Sequence, residues 1–436
     1  MENTPLKLVY VTPALYMAGG VERVLTLKAN YFAEHYGYDI TIILTEGKDK
    51  PLFYPLSEKI KVINLDVNFE ELWTCGFARK VLVYLRKQRQ YKRLLTKELM
   101  RLHPDVTISL LRREINFINE IQDGSRKIGE IHINRANYRN FDAEGAHWLK
   151  RIFSKVWSHN LVKHLRKLDT LVVLTDKDRE AWTELDHVVT IPDPLPFVPT
   201  KVSPLTEKRV VAIARYSHEK GIDLLLRAWA EVENYCDEWR LDVFGDGDRT
   251  LYEQLIDRLG IDKTRCQLHG RTDNVEREYC NSSIFVLSSR FEGFGMVVIE
   301  AMACGLPVVA FDCPWGPRSI IHDGEDGLLA ENGNWTSLAQ GLVALINDAD
   351  MRQQMAKAAL VNVQRFQIER VAEQWLHEIF NKDNRMKTEA KGRYFYSLGG
   401  DEAKTETPSP SLNKAAKMSH AVFLTTDNND LTHKTI

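Results

Sequence analysis

The sequence predicts an α/β protein made of two facing Rossmann-like domains with a cleft between them, on three observations. Apolar runs with the composition of buried strands alternate with stretches of helical spacing, which is typical of parallel sheets covered by helices. The alternation occurs twice, on either side of a proline-dense segment at 191–199 that cannot form regular structure. The 436 residues, 44% of them hydrophobic, are sufficient for two cores.

The predicted first domain, residues 1–194, contains six strand-like runs. The helix that follows the first run has the sequence VERVLTLKANYFAEHY and comes after a glycine pair, Gly19 and Gly20. A strongly basic helical region separates the third run from the fourth. The six runs are KLVYVT (7–12), DITIILT (39–45), KVINLD (61–66), PDVTISLL (104–111), KIGEIHI (127–133) and TLVVLT (170–175).

The predicted second domain, residues 195–365, repeats the pattern with five runs. Residues 366–381 read as a C-terminal helix. Residues 382–436 lose the apolar pattern and are predicted to be a disordered tail. The five runs are RVVAIAR (209–215), RLDVFG (240–245), CQLHG (266–270), SIFVLSS (283–289) and PVVAFD (307–312).

Composition narrows the class of protein. The formal net charge is −2, no run approaches 18 apolar residues, and the N-terminus goes directly into a strand without a leader-like pattern. The six cysteines are scattered without a C-x2-C pair, so we expect reduced, incidental cysteines and no zinc site. A cytoplasmic location is the expectation that fits these features.

Two basic segments stand out from this near-neutral background. Residues 79–101 carry nine Lys and Arg and one acid, and 150–167 carry six Lys and Arg and no acid, beside tryptophan and phenylalanine. Such helices fit an anionic membrane surface, which would place the protein at the inner face of the cytoplasmic membrane. A solvated helix face explains the charge equally well. No nucleic-acid motif accompanies it, so nucleic acid is not an expected partner.

The stretch 288–312 contains the strongest chemical signal. A buried strand leads into a glycine loop, a short apolar helix and a second strand, which aims a helix N-terminus and free backbone N–H groups at an anion. Glu292 lies in the loop and Glu300 lies inside the helix, eight residues later. Because carboxylates would repel phosphate, both should bind neutral hydroxyls. Backbone amides for a diphosphate and carboxylates for sugar hydroxyls suit a sugar nucleotide.

This stretch resembles the E-x7-E signature of the retaining glycosyltransferase family 4, whose members have the two-domain GT-B fold. The resemblance implies that Glu292 holds hydroxyls of the donor sugar and Glu300 holds the ribose hydroxyls. It further implies that residues 366–381 cross back onto the first domain. The donor would also contact the loop and helix start, namely Gly293, Phe294, Gly295 and Met296. The resemblance covers roughly residues 6–380 and is strongest over 209–330.

Arg215 and Lys220 are the predicted cations of the site. They follow the strand RVVAIAR, where two positive charges would counter the charge that grows on a departing diphosphate. They also resemble the R-x4-K element of the family. The loop FGDG resembles its G-x-G, which implies donor contacts from Gly245 and Gly247, although a tight turn alone would need the same glycines. Asn274 and Val275 are weaker candidates on the nucleobase side.

The first domain supplies three further candidates. Gly20 corresponds to a glycine-rich loop that the family places near the diphosphate, and the full G-x-G-x-x-G fingerprint of NAD enzymes is missing. His132 is expected to end a strand and to face the cleft, and the family often carries a histidine there that touches the donor sugar. Glu130 shares its face of the strand and would orient His132 or bind the acceptor.

One segment departs from the family pattern. Where the family commonly has G-P-x-E-I, this chain has Gly316, Pro317, Arg318, Ser319 and Ile320, so a serine replaces the glutamate. The polar contact expected from that loop is therefore altered. The preceding Trp315 is a candidate for stacking on a sugar, or a core residue.

Together these residues predict a metal-independent, retaining hexosyltransferase. It would use no cofactor and would move a hexose or N-acetylhexosamine from a nucleotide diphosphate sugar, with UDP favoured by the resemblance, to a glycan or lipid-linked acceptor. Assembly of bacterial surface polysaccharide, such as lipopolysaccharide or capsule, is the implied setting. Two alternatives stay open: a sugar-nucleotide epimerase, which would need acid and base carboxylates in both domains, and a non-catalytic subunit that binds sugar nucleotides or glycans.

Overall fold

The computed structural model describes residues 5–74, 77–135 and 159–381, and these form two parallel sheets. The first sheet has seven strands in the order β3-β2-β1-β4-β5-β6-β7. Its central strand β1 pairs in parallel with β2 and β4, so that Tyr10 lies opposite both Ile42 and Ile108. The strands are β1 (Lys7–Thr12), β2 (Asp39–Leu44), β3 (Lys61–Asn64), β4 (Val106–Ser109), β5 (Arg126–Glu130), β6 (Thr170–Val173) and β7 (Val188–Thr190).

The second sheet has six strands in the order β10-β9-β8-β11-β12-β13, also parallel. Val210 in β8 lies opposite Leu241 in β9 and Ile284 in β11. The strands are β8 (Arg209–Ile213), β9 (Arg240–Phe244), β10 (Cys266–His269), β11 (Ile284–Leu287), β12 (Val308–Phe311) and β13 (Gly327–Ala330). The predicted pair of Rossmann-like domains is thus confirmed.

Helices cover the sheets. A short 3-10 turn, His218–Lys220, precedes the helix Ile222–Val232. Residues 159–165 are also helical. The labelled α-helices within the described residues are α1 (Gly20–His35), α2 (Phe77–Leu102), α3 (Asp176–Ala181), α4 (Ile222–Val232), α5 (Thr250–Leu259), α6 (Val275–Cys280), α7 (Met296–Ala303), α8 (Trp335–Asn347), α9 (Ala349–Asn362) and α10 (Ile368–Trp375).

The end of the described chain packs on the first sheet. Helix α10 contacts α1, and Val371, Trp375 and Ile379 are buried in the same cluster as Tyr10 and Phe32. Residues 376–380 continue as a turn of π-helix. The chain therefore leaves the second sheet and covers the first, because the outer face of α1 would otherwise expose apolar side chains to water.

Several details differ from the sequence-based expectations. Strand β5 ends at Glu130, so His132 lies in the following loop rather than at the strand end, and β8 ends at Ile213, two residues before Arg215. Strands β7 and β13 were not predicted. Each is only three or four residues long, and β13 contains a glycine and an alanine, so neither gives a clear β pattern.

The predicted domain limits and two predicted segments stay predictions. The domain limits at 194/195 and 365/366 stay predictions, although the first sheet ends at Thr190 and the second begins at Arg209. The predicted tail at 382–436 and much of the second basic segment, 150–158, lie outside the described residues. Of the helices described, none has the length and apolarity needed to cross a bilayer. The five cysteines in the described ranges are unpaired.

Candidate active site

Glu292 follows strand β11 and has a cation beside it. The Nζ of Lys220 donates a hydrogen bond to its Oε1 at 2.7 Å, and the Oγ of Ser289 donates to the same oxygen at 2.6 Å. Lys220 and Glu292 are 72 residues apart in sequence, and their contact brings the R-x4-K and E-x7-E elements together. A carboxylate held beside an ammonium group is suited to accept hydroxyl hydrogens while the cation faces an anion.

The loops that carry these two residues form one unit. The Oγ of Ser288 donates to the carbonyl of Lys220 at 2.9 Å, and the backbone N–H of Arg290 donates to the carbonyl of Glu219 at 2.9 Å. Gly221 has φ of +61°, and a Cβ there would collide with the carbonyl of Ser288. Glycine is therefore required for the close approach, and the position of Lys220 is fixed by backbone contacts.

Arg215 lies in the same region but is less constrained. Its side chain is 69% exposed, and its guanidinium is 3.4 Å from Oε1 of Glu219. An exposed pair of this kind contributes little to stability because solvent screens it. Arg215 can therefore turn toward an anion in the cleft at little energetic cost.

Glu300 is buried within α7 and has two partners. The Nη1 of Arg23, from α1 in the first domain, donates to its Oε1 at 2.9 Å, and the Oη of Tyr279 donates to its Oε2 at 3.0 Å. Burial raises the pKa of the Glu300 carboxyl, and the guanidinium of Arg23 and the hydroxyl of Tyr279 oppose that rise. Both carboxylate oxygens thus already accept hydrogen bonds from side chains of the protein.

Two helix N-termini meet beside this carboxylate. Gly20 is the first residue of α1 and Met296 is the first residue of α7, and a Cβ on Gly20 would lie 3.5 Å from the Cε of Met296. The N-cap residues are Gly19 and Gly295, so neither helix start has a side-chain cap. The N–H groups of Met296 and Val297 and the dipole of α7 favour an anion at this junction. The start of α1 already has the carboxylate of Glu22 beside Gly19.

The glycine loop before α7 touches the first domain directly. A Cβ on Gly293 would collide with the carbonyl of His132, and the Nδ2 of Asn134 donates to the carbonyl of Glu292 at 3.0 Å. Gly295 has φ of +104°, which favours glycine. Phe294 is buried edge-on against Phe366 at 5.5 Å, so its ring belongs to the core of the second domain.

His132 is buried between two carboxylates. Its Nε2 lies 3.1 Å from Oε1 of Glu130, and its Nδ1 lies 3.2 Å from Oδ1 of Asp193, which belongs to the proline-dense linker. Lys28 forms a buried ion pair with Glu130. Burial alone would lower the pKa of His132, but Asp193 and Glu130 outweigh it and raise the pKa to about 9. Likewise burial would raise the pKa of Glu130, but Lys28 and His132 lower it to about 2.

The burial and neighbours of His132 and Glu130 bear directly on the sugar and acceptor contacts predicted for them. Both ring nitrogens of His132 lie within 3.2 Å of carboxylate oxygens, but neither makes a hydrogen bond to the described residues. The side chain is only 7% exposed, so a contact with a donor sugar would require it to move. Glu130 is only 2% exposed and so is not presented to an acceptor. Ligand atoms of Glu130, His132 and Asp193 lie within 4.8 Å of one another, a spacing that could hold a metal ion. The ammonium of Lys28 and a protonated His132 already balance the charges of Glu130 and Asp193, which disfavours a metal ion there.

The G-x-G loop has a packing reason for both of its glycines. A Cβ on Gly245 would collide with the carbonyl of Ala214, and Gly247 has φ of +120° and packs against the backbone of Tyr216. The loop therefore supports the segment that carries Arg215. Asn274 caps α6 by accepting a hydrogen bond from the N–H of Arg277 at 2.8 Å. The Val275 that follows it is partly buried against the core.

The loop that departs from the family pattern lies next to Glu292. A Cβ on Gly316 would be 2.8 Å from the Cβ of Glu292, so the loop packs against the segment that contains Glu292. Trp315 has φ of +82°, an uncommon conformation for a bulky residue, and the Nζ of Lys177 lies 5.5 Å from its ring centre. The hydroxyl of Ser319 donates to the carbonyl of Trp315 at 3.0 Å, so the serine bonds its own loop.

Several residues that contact Glu292 or Glu300 were not predicted from the sequence. Arg23, Tyr279, Ser289 and Asn134 contact the two glutamates or the backbone beside them, yet none belongs to a motif used above. Arg23 alone had a usable signal: a cation in the first turn of a helix opposes the helix dipole, which suggests a nearby anion. The others are recognisable only when the chain is folded.

Comparison with known proteins agrees with this architecture. Residues 198–361 match the family model described as glycosyl transferases group 1. An uncharacterized glycosyltransferase of Haemophilus influenzae is 28% identical over 369 residues, with 82% of this chain and 95% of that protein covered. A Campylobacter jejuni protein is 26% identical over 388 residues, covering 84% and 96%. It is named GalNAc-alpha-(1->4)-GalNAc-alpha-(1->3)-diNAcBac-PP-undecaprenol alpha-1,4-N-acetyl-D-galactosaminyltransferase.

A longer relative and a solved structure extend the comparison. The poly(ribitol-phosphate) alpha-N-acetylglucosaminyltransferase of Staphylococcus aureus is 28% identical over 271 residues, which are 60% of this chain and 52% of that protein. A TarM variant of S. aureus, solved with Fondaparinux, alpha-GlcNAc-glycerol and UDP, superposes with a TM-score of 0.67 at 18% identity. The superposition covers 86% of this chain and 100% of the TarM chain. The two-sheet architecture is the GT-B fold, and these similarities support a glycosyltransferase.

Proposed function

We propose that this protein is a retaining, metal-independent glycosyltransferase. It moves a hexose or N-acetylhexosamine from a nucleotide diphosphate sugar, with UDP-sugars favoured, to a hydroxyl of a glycan or lipid-linked acceptor. The single observation that carries the proposal is the junction of two uncapped helix N-termini beside a Lys220–Glu292 pair and the buried Glu300. Anion-binding amides and hydroxyl-binding carboxylates occur together there, as a sugar nucleotide requires.

Each group has a role in the proposed donor complex. The amides at the starts of α1 and α7, together with Lys220 and Arg215, bind the diphosphate and stabilise its growing charge as it departs. Glu292 accepts hydrogen bonds from the donor sugar, and Glu300 accepts them from the ribose. These cations and amides supply the charge that a divalent metal would otherwise provide, which is the basis for proposing independence of metal.

The proposed reaction needs no protein nucleophile. The bond between the anomeric carbon and the phosphate oxygen breaks, and the acceptor oxygen forms its bond to that carbon on the same face. The acceptor proton passes to the leaving phosphate oxygen, so the products are a glycoside and a nucleoside diphosphate. Contacts between the domains, such as Asn134 to the Glu292 carbonyl, help to exclude water, which would otherwise hydrolyse the donor.

The outward face of α2 supports a lipid-linked acceptor. Along it run four cations at helical spacing, Arg86, Arg89, Arg93 and Lys97, for which the described residues provide no ion-pair partner. Leu82, on the same face near the start of the helix, is 70% exposed. Because α2 connects two parallel strands, β3 and β4, its start follows the carboxyl end of β3, the end of the sheet where ligands of such folds bind. We propose that this face binds an anionic membrane surface.

The test is release of nucleoside diphosphate from UDP-sugars and GDP-sugars with EDTA and lipid-linked acceptors present. We expect release from one donor, lost in Glu300→Ala and Arg215→Ala, and retained in Arg258→Ala, an exposed arginine on α5. Donor binding without release under all conditions would favour a binding subunit. Conversion of the donor to its epimer without an acceptor would favour an epimerase. Strict dependence on added metal would contradict the mechanism.

A further inference from the structure

Arg23 is a charged side chain at the proposed donor site that none of the motifs includes. It is the fourth residue of α1, within the turn where helix N–H groups and the dipole repel a cation. A cation there is disfavoured by about 0.3–1 kcal/mol unless an anion lies close by. In this structure that anion is Glu300, 2.9 Å away and on the other domain.

The same carboxylate has a competing task. Glu300 is proposed to bind the ribose hydroxyls of the donor, and its two oxygens are occupied by Arg23 and Tyr279. When the two ribose hydroxyls donate hydrogen bonds to the Glu300 carboxylate, they compete with Arg23 for the same oxygens. Arg23 would then be a cation at a helix start without its present partner, which is unfavourable unless a second anion arrives.

The donor brings that second anion. Its diphosphate is linked to the ribose through one carbon, so a phosphate that lies at the α1–α7 junction is within reach of a long side chain at the start of α1. The Arg23 side chain is 26% exposed, so it is in contact with solvent, and its guanidinium lies 5.7 Å from the centre of the Phe197 ring. Arginine matches the oxygens of a phosphate with two parallel N–H groups.

We propose that Arg23 is a donor-binding residue that exchanges partners: it bonds Glu300 when the site is empty and the diphosphate of the nucleotide when the donor binds. The exchange couples the first domain to a ligand held mainly by the second. It rests on the function proposed above. It also gives a role to a cation at a helix start, where the dipole disfavours positive charge.

The experiment measures binding of UDP, GDP, uridine and guanosine by calorimetry to wild type, Arg23→Gln, Arg23→Lys and the exposed control Arg258→Gln. We expect Arg23→Gln to lower the affinity for the preferred nucleoside diphosphate by about 10- to 100-fold, the usual effect of losing a charge-assisted hydrogen bond. The matching nucleoside should bind at least as well as to wild type, because Glu300 is released. Arg23→Lys should recover part of the loss, and Arg258→Gln should behave as wild type.

The outcomes separate this inference from the proposed function. Unchanged diphosphate affinity in a folded Arg23→Gln, or an equal loss for nucleoside and diphosphate, would mean that Arg23 only holds Glu300, and the inference would be overturned. Failure of wild type to bind either UDP or GDP would overturn the proposed donor site itself. A thermal melt of each variant identifies any that fails to fold, and Arg23→Lys, which keeps the charge, then provides the comparison.

Discussion

The two glutamates of this site are charged and also buried, two properties that ordinarily conflict. Glu292 and Glu300 are buried carboxylates, and burial of a charge is costly unless a partner compensates. Lys220 compensates the first and Arg23, with Tyr279, the second. The same cations favour a diphosphate nearby. Each ion pair therefore compensates a buried carboxylate and contains a cation that the proposed donor could bind.

Loss of Lys220 should slow the chemical step and should also lower stability, because Glu292 loses its compensating cation. For Lys220→Ala we expect kcat/KM to fall by about 100- to 1,000-fold, the usual effect of removing one group that stabilises charge on the departing oxygen. The measurement is steady-state kinetics of nucleotide release. Lys208→Ala, which removes a surface pair with Glu238, is the matched control and should retain activity. Equal losses in the two variants would contradict the assigned role.

His132 should make stability depend on pH. Its folded-state pKa of about 9 lies above the ordinary value of 6.5, so its stabilising contribution is complete below pH 6.5 and is lost as the pH rises through 9. We expect the free energy of unfolding of wild type to decrease over that window and that of His132→Gln to change less. Denaturant titrations between pH 6 and 10 measure this, with the exposed His377→Gln as control. Parallel curves for wild type and His132→Gln would refute it.

At the scale of elements, α2 has two faces with different tasks. Tyr91, Leu95 and Leu99 are buried against the first sheet, with the ring of Tyr91 edge-on to Phe117 at 5.2 Å. The opposite face carries Arg86, Arg89, Arg93 and Lys97, which have no ion-pair partner among the described residues. Helical periodicity alone creates this division, because residues spaced by three or four positions share a side.

Neutralising the outward face of α2 should reduce membrane binding without unfolding the helix. For Arg86→Gln, Arg89→Gln and Arg93→Gln combined, we expect loss of co-sedimentation with anionic vesicles, since each basic residue near such a surface contributes about 1 kcal/mol. Release of nucleotide to a water-soluble acceptor should persist. Replacement of Lys59, Lys61 and Lys263 by Gln removes three exposed cations elsewhere and serves as control. Undiminished binding by the α2 variant would exclude this face.

At the scale of the whole molecule, the chain connects its two sheets at several places. The linker residue Asp193 faces His132, Arg23 reaches Glu300, and α10 returns from the second sheet to cover the first. Trp375 on α10 is almost fully buried, and the Nζ of Lys28 lies 4.3 Å from its ring centre. The end of the described chain is therefore part of the first core.

Truncation of this tryptophan should destabilise the protein substantially. For Trp375→Ala we expect a loss of about 3–5 kcal/mol in the free energy of unfolding, from lost burial and the cavity left behind. The shift of the denaturant midpoint measures it. Trp335→Ala, at a position that is 38% exposed, should cost much less. A small effect at Trp375 would mean that α10 is not needed to cover the first sheet.

The amino-acid sequence by itself determined the fold class and the glutamate pair. Alternating apolar runs predict parallel strands because burial on both faces demands them, and Glu292 and Glu300 are in one local segment whose strand, loop and helix are set by nearby residues. Tertiary structure alone decided the partners: Arg23, Tyr279 and Lys220 meet these glutamates from 277, 21 and 72 residues away. It also decided that both nitrogens of His132 face carboxylates. Pairing across such distances depends on how the sheets pack, which local pattern does not encode.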